Sequence, residues 1–250
     1  MQRLKQEQEA FMFEMTNTIP FTKCDPEQKL KLHEAVSYMM DCCQFQEYQE
    51  VAFRNFLESN HLAVFLFSIQ IDFFRRPSFR ENVRTAVKIY GCKTICGLRR
   101  LTMRDEAGEL CMIANATGAF FDTQAGRAIK LNPDTMPVQF EEAEPMECLP
   151  RKVPVPATGG TAGPPTVITP SQLDPNGHLT SHMYFAIAAD AIPADLAFNR
   201  VRMEFKKQIK QGETVTPVVY PGDVCVVDLR NGEGESCAVA EFSTFQPVYS

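Results

Sequence analysis

The sequence lacks any run of about 18 consecutive apolar residues, the length that a membrane-spanning helix requires, so no membrane span is expected. Residues 1–9 also lack the apolar core of a signal peptide. Together these two absences predict a cytoplasmic protein. The 250 residues are enough for one or two domains with a large core.

Cysteine pairs with the spacing Cys-x-x-Cys are also absent, and the nearest approach is Cys92 and Cys96 with three residues between them. The nine cysteines are odd in number, which predicts reduced and mostly buried thiols. His178 and His182 have the i, i+4 spacing of metal ligands, but no third ligand is evident. We therefore expect neither a metal site nor a cofactor.

Positive charge is scarce in the second half of the chain. Residues 1–140 contain 17 Lys and Arg against 17 Asp and Glu, whereas residues 141–250 contain 8 against 14. Nothing indicates a nucleic-acid partner. Local basic pairs occur at Arg75-Arg76, Arg99-Arg100 and Lys206-Lys207, and each is either a solvated strand face or a docking patch for an acidic partner.

The chain contains an internal repeat. Residues 24–33 match residues 173–182 at a constant offset of 149, with Asp, Pro, Leu and the last His in common. Residues 71–83 match residues 203–215 at an offset of 132. The first copy therefore has 17 more residues between the two matches, and a longer helix accounts for them.

A segment rich in Pro, Glu and Gly separates the two copies and has no apolar periodicity. It covers residues 139–165 and is predicted to be an extended linker. The chain is thereby divided into a first unit at residues 1–138 and a second unit at residues 166–250.

Hydrophobic periodicity predicts the same order of elements in both units. In the first unit we expect a strand at 10–21, a helix at 26–59, strands at 62–74, 82–90, 94–103 and 109–122, and a short piece near Ile129. In the second unit we expect a strand at 166–170, a helix at 181–191, and strands at 200–210, 213–220, 224–230 and 236–246. One strand, one helix and then antiparallel strands describe an α+β unit in which a sheet wraps a helix, the hotdog fold. Two tandem units would pair their sheets edge to edge and so close edges that otherwise invite aggregation.

The loop at residues 172–179 concentrates the groups that can carry chemistry. Asp174 or His178 can act as a general base, with Asp174 a nucleophile as an alternative, and Asn176 can hold a water or a carbonyl group. Gly177 lets a substrate approach the backbone, and the unpaired N–H groups of the following helix suit an oxyanion hole. Taken alone, however, Asp174 can be only a turn or capping residue, and Asn176-Gly177 only a turn.

The first copy of the loop lacks this equipment. Glu27 and Lys29 stand at the positions of Asn176 and His178, while Asp25 and the trailing histidine are kept. The kept residues therefore indicate a structural role in both units, and the changed positions distinguish the second loop.

With this loop the chain resembles a known family, the acyl-(acyl-carrier-protein) thioesterases of plants and bacteria, which are tandem double hotdogs. Residues 173–179 resemble the family's Leu-Asp-x-Asn-x-His-Val loop, and residues 97–109 resemble its Arg-Arg-(x)-(x)-Val-Arg-Asp…Thr-Gly-Glu pattern. Residues 77–83 weakly echo a Pro-x-Trp-Gly-Asp-x-Val segment. The resemblance covers nearly the whole chain and implies hydrolysis of an acyl-carrier-protein thioester, with release of a free fatty acid.

The resemblance also implies roles for particular residues. Catalysis would fall to Asp174, Asn176 and His178, without metal or cofactor. The acyl chain would lie in a tunnel beside the helix and sheet of the first unit, with Met39, Met40 and Phe45 as candidate lining residues. Acyl carrier protein is acidic and would dock on a basic face, for which the candidates are Arg75, Arg76, Arg99 and Arg100.

The chain departs from the family in two respects. It has no tryptophan, in which the family is rich, and residues 206–209 read Lys-Lys-Gln-Ile where the family has Arg-Arg-Glu-Cys. Gln208 and Ile209 thus replace a carboxylate and a cysteine, which excludes a cysteine nucleophile here and leaves Gln208 as an auxiliary residue at most. Two alternatives stay open, an acyl-CoA thioesterase and a non-hydrolytic acyl-chain-binding protein. The assembly is expected to be a monomeric pseudo-dimer or a homodimer.

Overall fold

A single antiparallel sheet of twelve strands runs through residues 13–246, the part of the chain that the computed structural model describes. The strands are β1 (Phe13–Thr18), β2 (Leu62–Phe73), β3 (Asn82–Lys93), β4 (Cys96–Asp105), β5 (Leu110–Asp122), β6 (Arg127–Ala128), β7 (Thr161–Ala162), β8 (Thr166–Val167), β9 (Arg200–Phe205), β10 (Thr214–Tyr220), β11 (Cys225–Arg230) and β12 (Ser236–Ser243). The helices are α1 (Leu32–Gln49), α2 (Val51–Ser59) and α3 (Ser181–Ala191). No helix in this part of the chain is long and apolar enough to cross a bilayer.

The sheet consists of two similar halves. Its order is β1-β3-β4-β5-β2-β9-β12-β11-β10-β7, with β6 paired to β5 and β8 paired to β10. The first unit supplies β1 to β6, the second supplies the strands from β8 onward, and the halves meet where β2 pairs with β9. The predicted α+β fold of two tandem hotdog units joined edge to edge is therefore confirmed.

Alternation along the two central strands sorts side chains onto the two faces of the sheet. In β9, Val201 and Met203 are fully buried on the side of the helices, whereas Arg200, Arg202 and Glu204 point to the opposite side. The same alternation in β2 places Ile69 and Ile71 toward the helices and Ser68, Gln70 and Asp72 away from them. One face therefore carries the apolar core and the other carries charge.

The charged face is covered by residues 141–155, which we call the strap. The strap contains no helix or strand and follows the join between the two halves. The carbonyl of Glu147 accepts from Gln70 Nε2 at 2.8 Å, and the carbonyl of Pro150 accepts from Arg202 Nη1 at 2.8 Å. The expected linker is thus extended, and it is hydrogen-bonded to both units.

The predicted helix at 26–59 is wrong at its start and in its middle. The chain enters α1 only at Leu32, and a break at Glu50 separates α1 from α2. Before Leu32 the chain forms a turn, and after Glu50 it redirects Phe53 and Leu57 into a separate apolar cluster with Phe120 and Met136. Tertiary packing of that cluster explains the break, because no proline or glycine lies at Glu50.

Two strands of the second unit are shorter than predicted. The strand expected at 166–170 ends at Val167, because Pro170 opens a short 3-10 turn. The strand expected at 200–210 ends at Phe205, where Lys206 and Lys207 both donate their backbone N–H to the Cys237 carbonyl. The residues from 206 to 210 therefore leave the sheet and approach the loop at 172–179.

Candidate active site

The Asp-Pro-Asn-Gly-His loop is a closed turn held by its own aspartate. Asp174 Oδ1 accepts the backbone N–H of Asn176 at 2.8 Å and of His178 at 3.1 Å. The Asp174 N–H donates to the His178 carbonyl at 2.8 Å, and Gly177 has φ +78, a conformation that glycine adopts without strain. One carboxylate oxygen of Asp174 is therefore used for structure.

The first unit contains the same turn. Asp25 Oδ1 accepts the N–H of Glu27 and of Lys29, each at 2.9 Å, and Gln28 takes the positive φ of +61. The turn-forming role of the aspartate, one of the two roles proposed from sequence, thus applies in both copies. Any chemistry must come from what each copy adds to the turn.

The two copies differ at the second carboxylate oxygen. Asp25 Oδ2 receives Arg76 Nη1 at 2.6 Å, and the residue at the position of Arg76 in the second unit is Gln208. Burial raises the pKa of Asp25, but hydrogen bonds from the Lys29 N–H and from Arg76 outweigh it and hold that pKa below its ordinary value. Asp174 Oδ2 has no hydrogen bond to any residue between 13 and 246. The second unit therefore presents an open carboxylate oxygen where the first unit has a closed ion pair.

His178 and Lys29 occupy matching positions in the two loops, and their partners differ. The Lys29 ammonium donates to Ser78 Oγ at 2.9 Å across a bridge between the loop and the following segment. In the second unit the corresponding bridge joins His178 to Lys210. Residues directly opposite in an antiparallel pair share a face, so the imidazole lies beside the side chain of Lys210. Sequence reasoning missed Lys210, although the repeat places it opposite His178.

The positions of the family's carboxylate and cysteine are occupied by an exposed and a buried residue. Gln208 is exposed to solvent, whereas Ile209 is fully buried in the main apolar core. The carbonyl of Ile209 accepts the N–H of Leu179 at 2.7 Å and so fixes the loop to this segment. A side chain at position 209 points into the core and away from the loop.

The start of α3 provides hydrogen-bond donors close to the loop. Thr180 is the N-cap residue and makes no side-chain hydrogen bond to the helix, so within the described chain the N–H groups of Ser181 and His182 have no acceptor. Thr180 Oγ1 lies 3.3 Å from His182 Nδ1. His182 is thus engaged with Thr180, which agrees with a structural role for this histidine.

Helix α3 packs antiparallel against α1. Burial lowers the pKa of His33 and of His182, and acidic groups across the helix pair oppose that shift, Asp190 for His33 and both Glu34 and Asp41 for His182. The first turn of α3 therefore lies against the first part of α1, nearer to Glu34 than to Asp41. The loop at 172–179 leads directly into this turn.

A cavity lies between the second half of α1, α2 and the sheet of the first unit. Its wall is mostly apolar and includes Met40, Val64, Leu66, Ile89, Leu98, Phe120 and Met136. Gly97 and Gly118 pair across β4 and β5, and a Cβ atom at Gly118 would lie 2.7 Å from Val64 Cγ1, so only glycine fits against this wall residue. Of the residues predicted to line an acyl tunnel, Met40 lines this cavity, Met39 is core, and Phe45 is 51% exposed.

The four arginines predicted to dock a carrier protein do not form one surface. Arg99 faces α1 and lines the cavity, while Arg100 is 4% exposed on the other face and donates to the Glu144 carbonyl at 2.9 Å. A docking role for Arg99 and Arg100 stays a prediction, and the low exposure of both side chains does not favour it. Arg75 and Arg76 are partly exposed, but carboxylates already hold both of them.

No metal site accompanies the loop in the described part of the chain. The only three residues there whose ligand atoms come close enough together are Glu81, Asp105 and Cys111. Arg75 pairs with both of these carboxylates, so a cation would have to displace a guanidinium.

Comparison with known proteins gives one family match. The model of the acyl-ACP thioesterase N-terminal domain matches residues 10–138, just over half of the chain. A search of curated protein sequences found no match.

Several solved structures share the fold over nearly the whole chain. An acyl-ACP thioesterase from Bacteroides thetaiotaomicron superposes with a TM-score of 0.82 at 14% identity, covering 93% of this chain and 97% of its own. A putative oleoyl thioesterase from Lactobacillus plantarum gives a TM-score of 0.79 at 20% identity, with 94% and 96% covered. A 12:0-ACP thioesterase from Umbellularia californica gives 0.73 at 13% identity, with 93% and 96% covered.

Proposed function

The chain belongs to the acyl-ACP thioesterase family and hydrolyses acyl-ACP thioesters, and we propose that the loop of its second unit carries the reaction. The observation that carries this proposal is the contrast between the two copies of one turn. Arg76 closes the carboxylate of Asp25, whereas Gln208 leaves Asp174 Oδ2 open. An unpaired carboxylate oxygen can accept a proton from water.

In the proposed mechanism Asp174 Oδ2 takes a proton from a water molecule as the water oxygen attacks the thioester carbonyl carbon. Asn176 orients the water or the carbonyl group, since a carboxamide both donates and accepts hydrogen bonds. The carbonyl oxygen becomes an oxyanion, which the free N–H groups of Ser181 and His182 and the positive end of α3 stabilise. The C–S bond then breaks, and the proton that Asp174 took passes through His178 to the leaving sulfur, which returns both residues to their starting states. The products are a fatty acid and the free thiol of the carrier.

We place the acyl chain in the cavity of the first unit. The loop leads into the first turn of α3, that turn lies against the first part of α1, and Met40 is the first of the cavity residues along α1. An apolar cavity suits an acyl chain, because transfer of each methylene group from water stabilises the complex. One chain thus provides both the catalytic loop and the acyl site, and no second copy is required.

All nine cysteines are unpaired thiols, and we place the reaction in the cytoplasm, where thiols stay reduced.

The proposal is tested by measuring fatty-acid release from acyl-ACP by the purified protein and two variants. Asp174→Asn and His178→Ala should each lower kcat by at least about 100-fold, the usual scale for a general acid–base group. Lys29→Ala, which alters the matching position of the first loop, should leave kcat within a few-fold of wild type. Full activity in Asp174→Asn would remove the aspartate from the mechanism.

A labelling experiment separates attack by water from attack by the carboxylate. In a single turnover in heavy-oxygen water, attack by water places the label in the fatty acid. Attack by Asp174 itself would form an acyl-enzyme anhydride, and hydrolysis of that anhydride at its aspartyl carbonyl would place the label in the aspartate. We expect the label in the fatty acid.

A further inference from the structure

The apolar wall of the cavity is interrupted by one ion pair. Glu47 of α1 and Arg99 of β4 both line the cavity, and Arg99 Nη2 lies 3.1 Å from Glu47 Oε2. Their side chains are only 24% and 14% exposed. Charged groups are expensive to bury, so a pair in the wall of an acyl site points to a function in that site.

The guanidinium has more donors than its neighbours use. Arginine carries five N–H donors, and Arg99 uses them toward two groups, the Glu47 carboxylate at 3.1 Å and the Cys43 thiol. Burial raises the pKa of Cys43, and the charge and hydrogen bond of Arg99 lower it in part. Methylene groups offer no acceptor, so an alkyl chain lying across Arg99 would strip water from these donors without replacing its hydrogen bonds.

The pair lies at a defined depth from the catalytic loop. The first turn of α3 faces the first part of α1, around Glu34 and Asp41, and Met40 is the first residue of α1 that lines the cavity. Glu47 lies seven residues beyond Met40, which is about 10 Å at 1.5 Å per residue. An acyl chain that enters from the loop therefore meets apolar wall first and the ion pair second. Phe53 and Met136 continue the apolar lining toward α2.

We propose that the Glu47–Arg99 pair sets the upper limit of acyl-chain length for this enzyme. Chains that end before the pair gain free energy from every buried methylene group, and chains that must pass it lose hydration of two charges. This inference rests on the proposed placement of the acyl chain in the cavity, and it adds the residues that determine specificity within it.

The direct test replaces both partners at once, because removal of one alone would leave a buried charge unpaired. The variant Glu47→Leu with Arg99→Met keeps volume and removes both charges. Its kcat/KM for chains two to four carbons beyond the wild-type optimum should rise by about tenfold or more, the usual scale for a change of one methylene group in an apolar pocket. Its kcat/KM for shorter chains should stay within a few-fold of wild type.

A matched control pair lies outside the cavity. Lys23 and Glu34 form an ion pair of 2.8 Å at the start of α1, and neither lines the cavity. Lys23→Met with Glu34→Leu should leave the chain-length profile unchanged. A profile that is also unchanged in the Glu47 and Arg99 double variant would overturn the proposal.

A second measurement needs no variant and covers the case in which the double variant does not fold. The affinity of the wild-type protein for free saturated fatty acids should rise by about fourfold per methylene group up to the limit and then fall. A rise that continues through all lengths overturns the proposal, as does tighter binding of a hydroxylated chain than of a saturated chain of optimal length. If the wild type hydrolyses no acyl-ACP of any length, the proposed function fails, and this binding series still tests the pair.

Discussion

At the residue scale, the two copies of the aspartate turn can be compared within one molecule. The same turn is built twice, with Asp25 and Asp174 accepting the equivalent pair of N–H groups. What changes is the residue that faces the second carboxylate oxygen, Arg76 in one unit and Gln208 in the other. A buried or bonded carboxylate serves the fold, and an open one is available for chemistry.

Gln208→Arg should transplant the closed arrangement into the second unit. A guanidinium at this position would pair with Asp174 as Arg76 pairs with Asp25 at 2.6 Å, and kcat on acyl-ACP should fall by about 100-fold or more. Steady-state kinetics and the urea midpoint of unfolding would be measured together, since the new ion pair should preserve stability. The reverse change, Arg76→Gln, should leave kcat unaltered. Wild-type activity in Gln208→Arg would show that Asp174 Oδ2 takes no part.

Residue identity in the loop was predictable from the sequence, but the direction of several side chains was not. The repeat identified Asn176 and His178 as the positions that distinguish the copies. The sequence predicts Arg99 and Arg100 as one basic docking patch, although neighbouring residues of a strand point to opposite faces. Once that stretch is a strand, at most one of the two can face a partner. Which face covers the cavity depends on α1, and no local pattern reports it.

At the element scale, the packing of α1 against α3 makes stability depend on pH. Burial holds the pKa of His33 and His182 below the ordinary value of 6.5, so the unfolded chain binds protons that the folded chain resists. Stability is fully present above pH 6.5 and should fall as the pH drops below it. The urea midpoint at pH 5.5 should therefore be lower than at pH 7.5.

The double variant His33→Gln with His182→Gln should flatten this dependence between pH 5.5 and 7.5. His61 is exposed, so His61→Gln should retain the wild-type pH dependence and serves as the control. Equal pH slopes in the wild type and the double variant would rule out the helix pair as the source.

The buried ion pair between Asp72 and Arg200 gives a second prediction at the element scale. Asp72 is fully buried at the join of the two halves and accepts two hydrogen bonds of 2.7 Å from Arg200. Asp72→Asn should lower the free energy of unfolding by about 3–5 kcal/mol, because it leaves the buried Arg200 charge with only the exposed Glu147 carboxylate as a partner. Glu58→Gln, which removes an exposed partner of Arg54, should cost less than about 1 kcal/mol. Similar losses in the two variants would show that the buried pair contributes no more than a surface pair.

Element boundaries followed the sequence where local signals decide them. The helix predicted at 181–191 has those ends in the structure, and the strands lie where alternation placed them, apart from the two that end early at Val167 and Phe205. The break at Glu50 and the path of the strap followed no local signal. Both depend on partners distant in sequence, the Phe120 cluster for the break and the central strands for the strap.

At the scale of the whole molecule, the two repeated units differ in the features that each one contains. The first unit keeps the longer helix and the cavity, and its loop is closed by an ion pair. The second unit keeps the open loop and a shorter helix. The continuous sheet through β2 and β9 fixes the two units against each other, so the loop of one unit can serve the cavity of the other.

The most direct test of this account compares the two aspartates in one assay. Asp25→Asn and Asp174→Asn make the same chemical change in the same turn, and kcat for fatty-acid release from acyl-ACP is measured for both beside the wild type. We predict a fall of at least about 100-fold in Asp174→Asn and a kcat within a few-fold of wild type in Asp25→Asn. Equal losses in the two variants would contradict the account, because they would show that both aspartates act only through the fold.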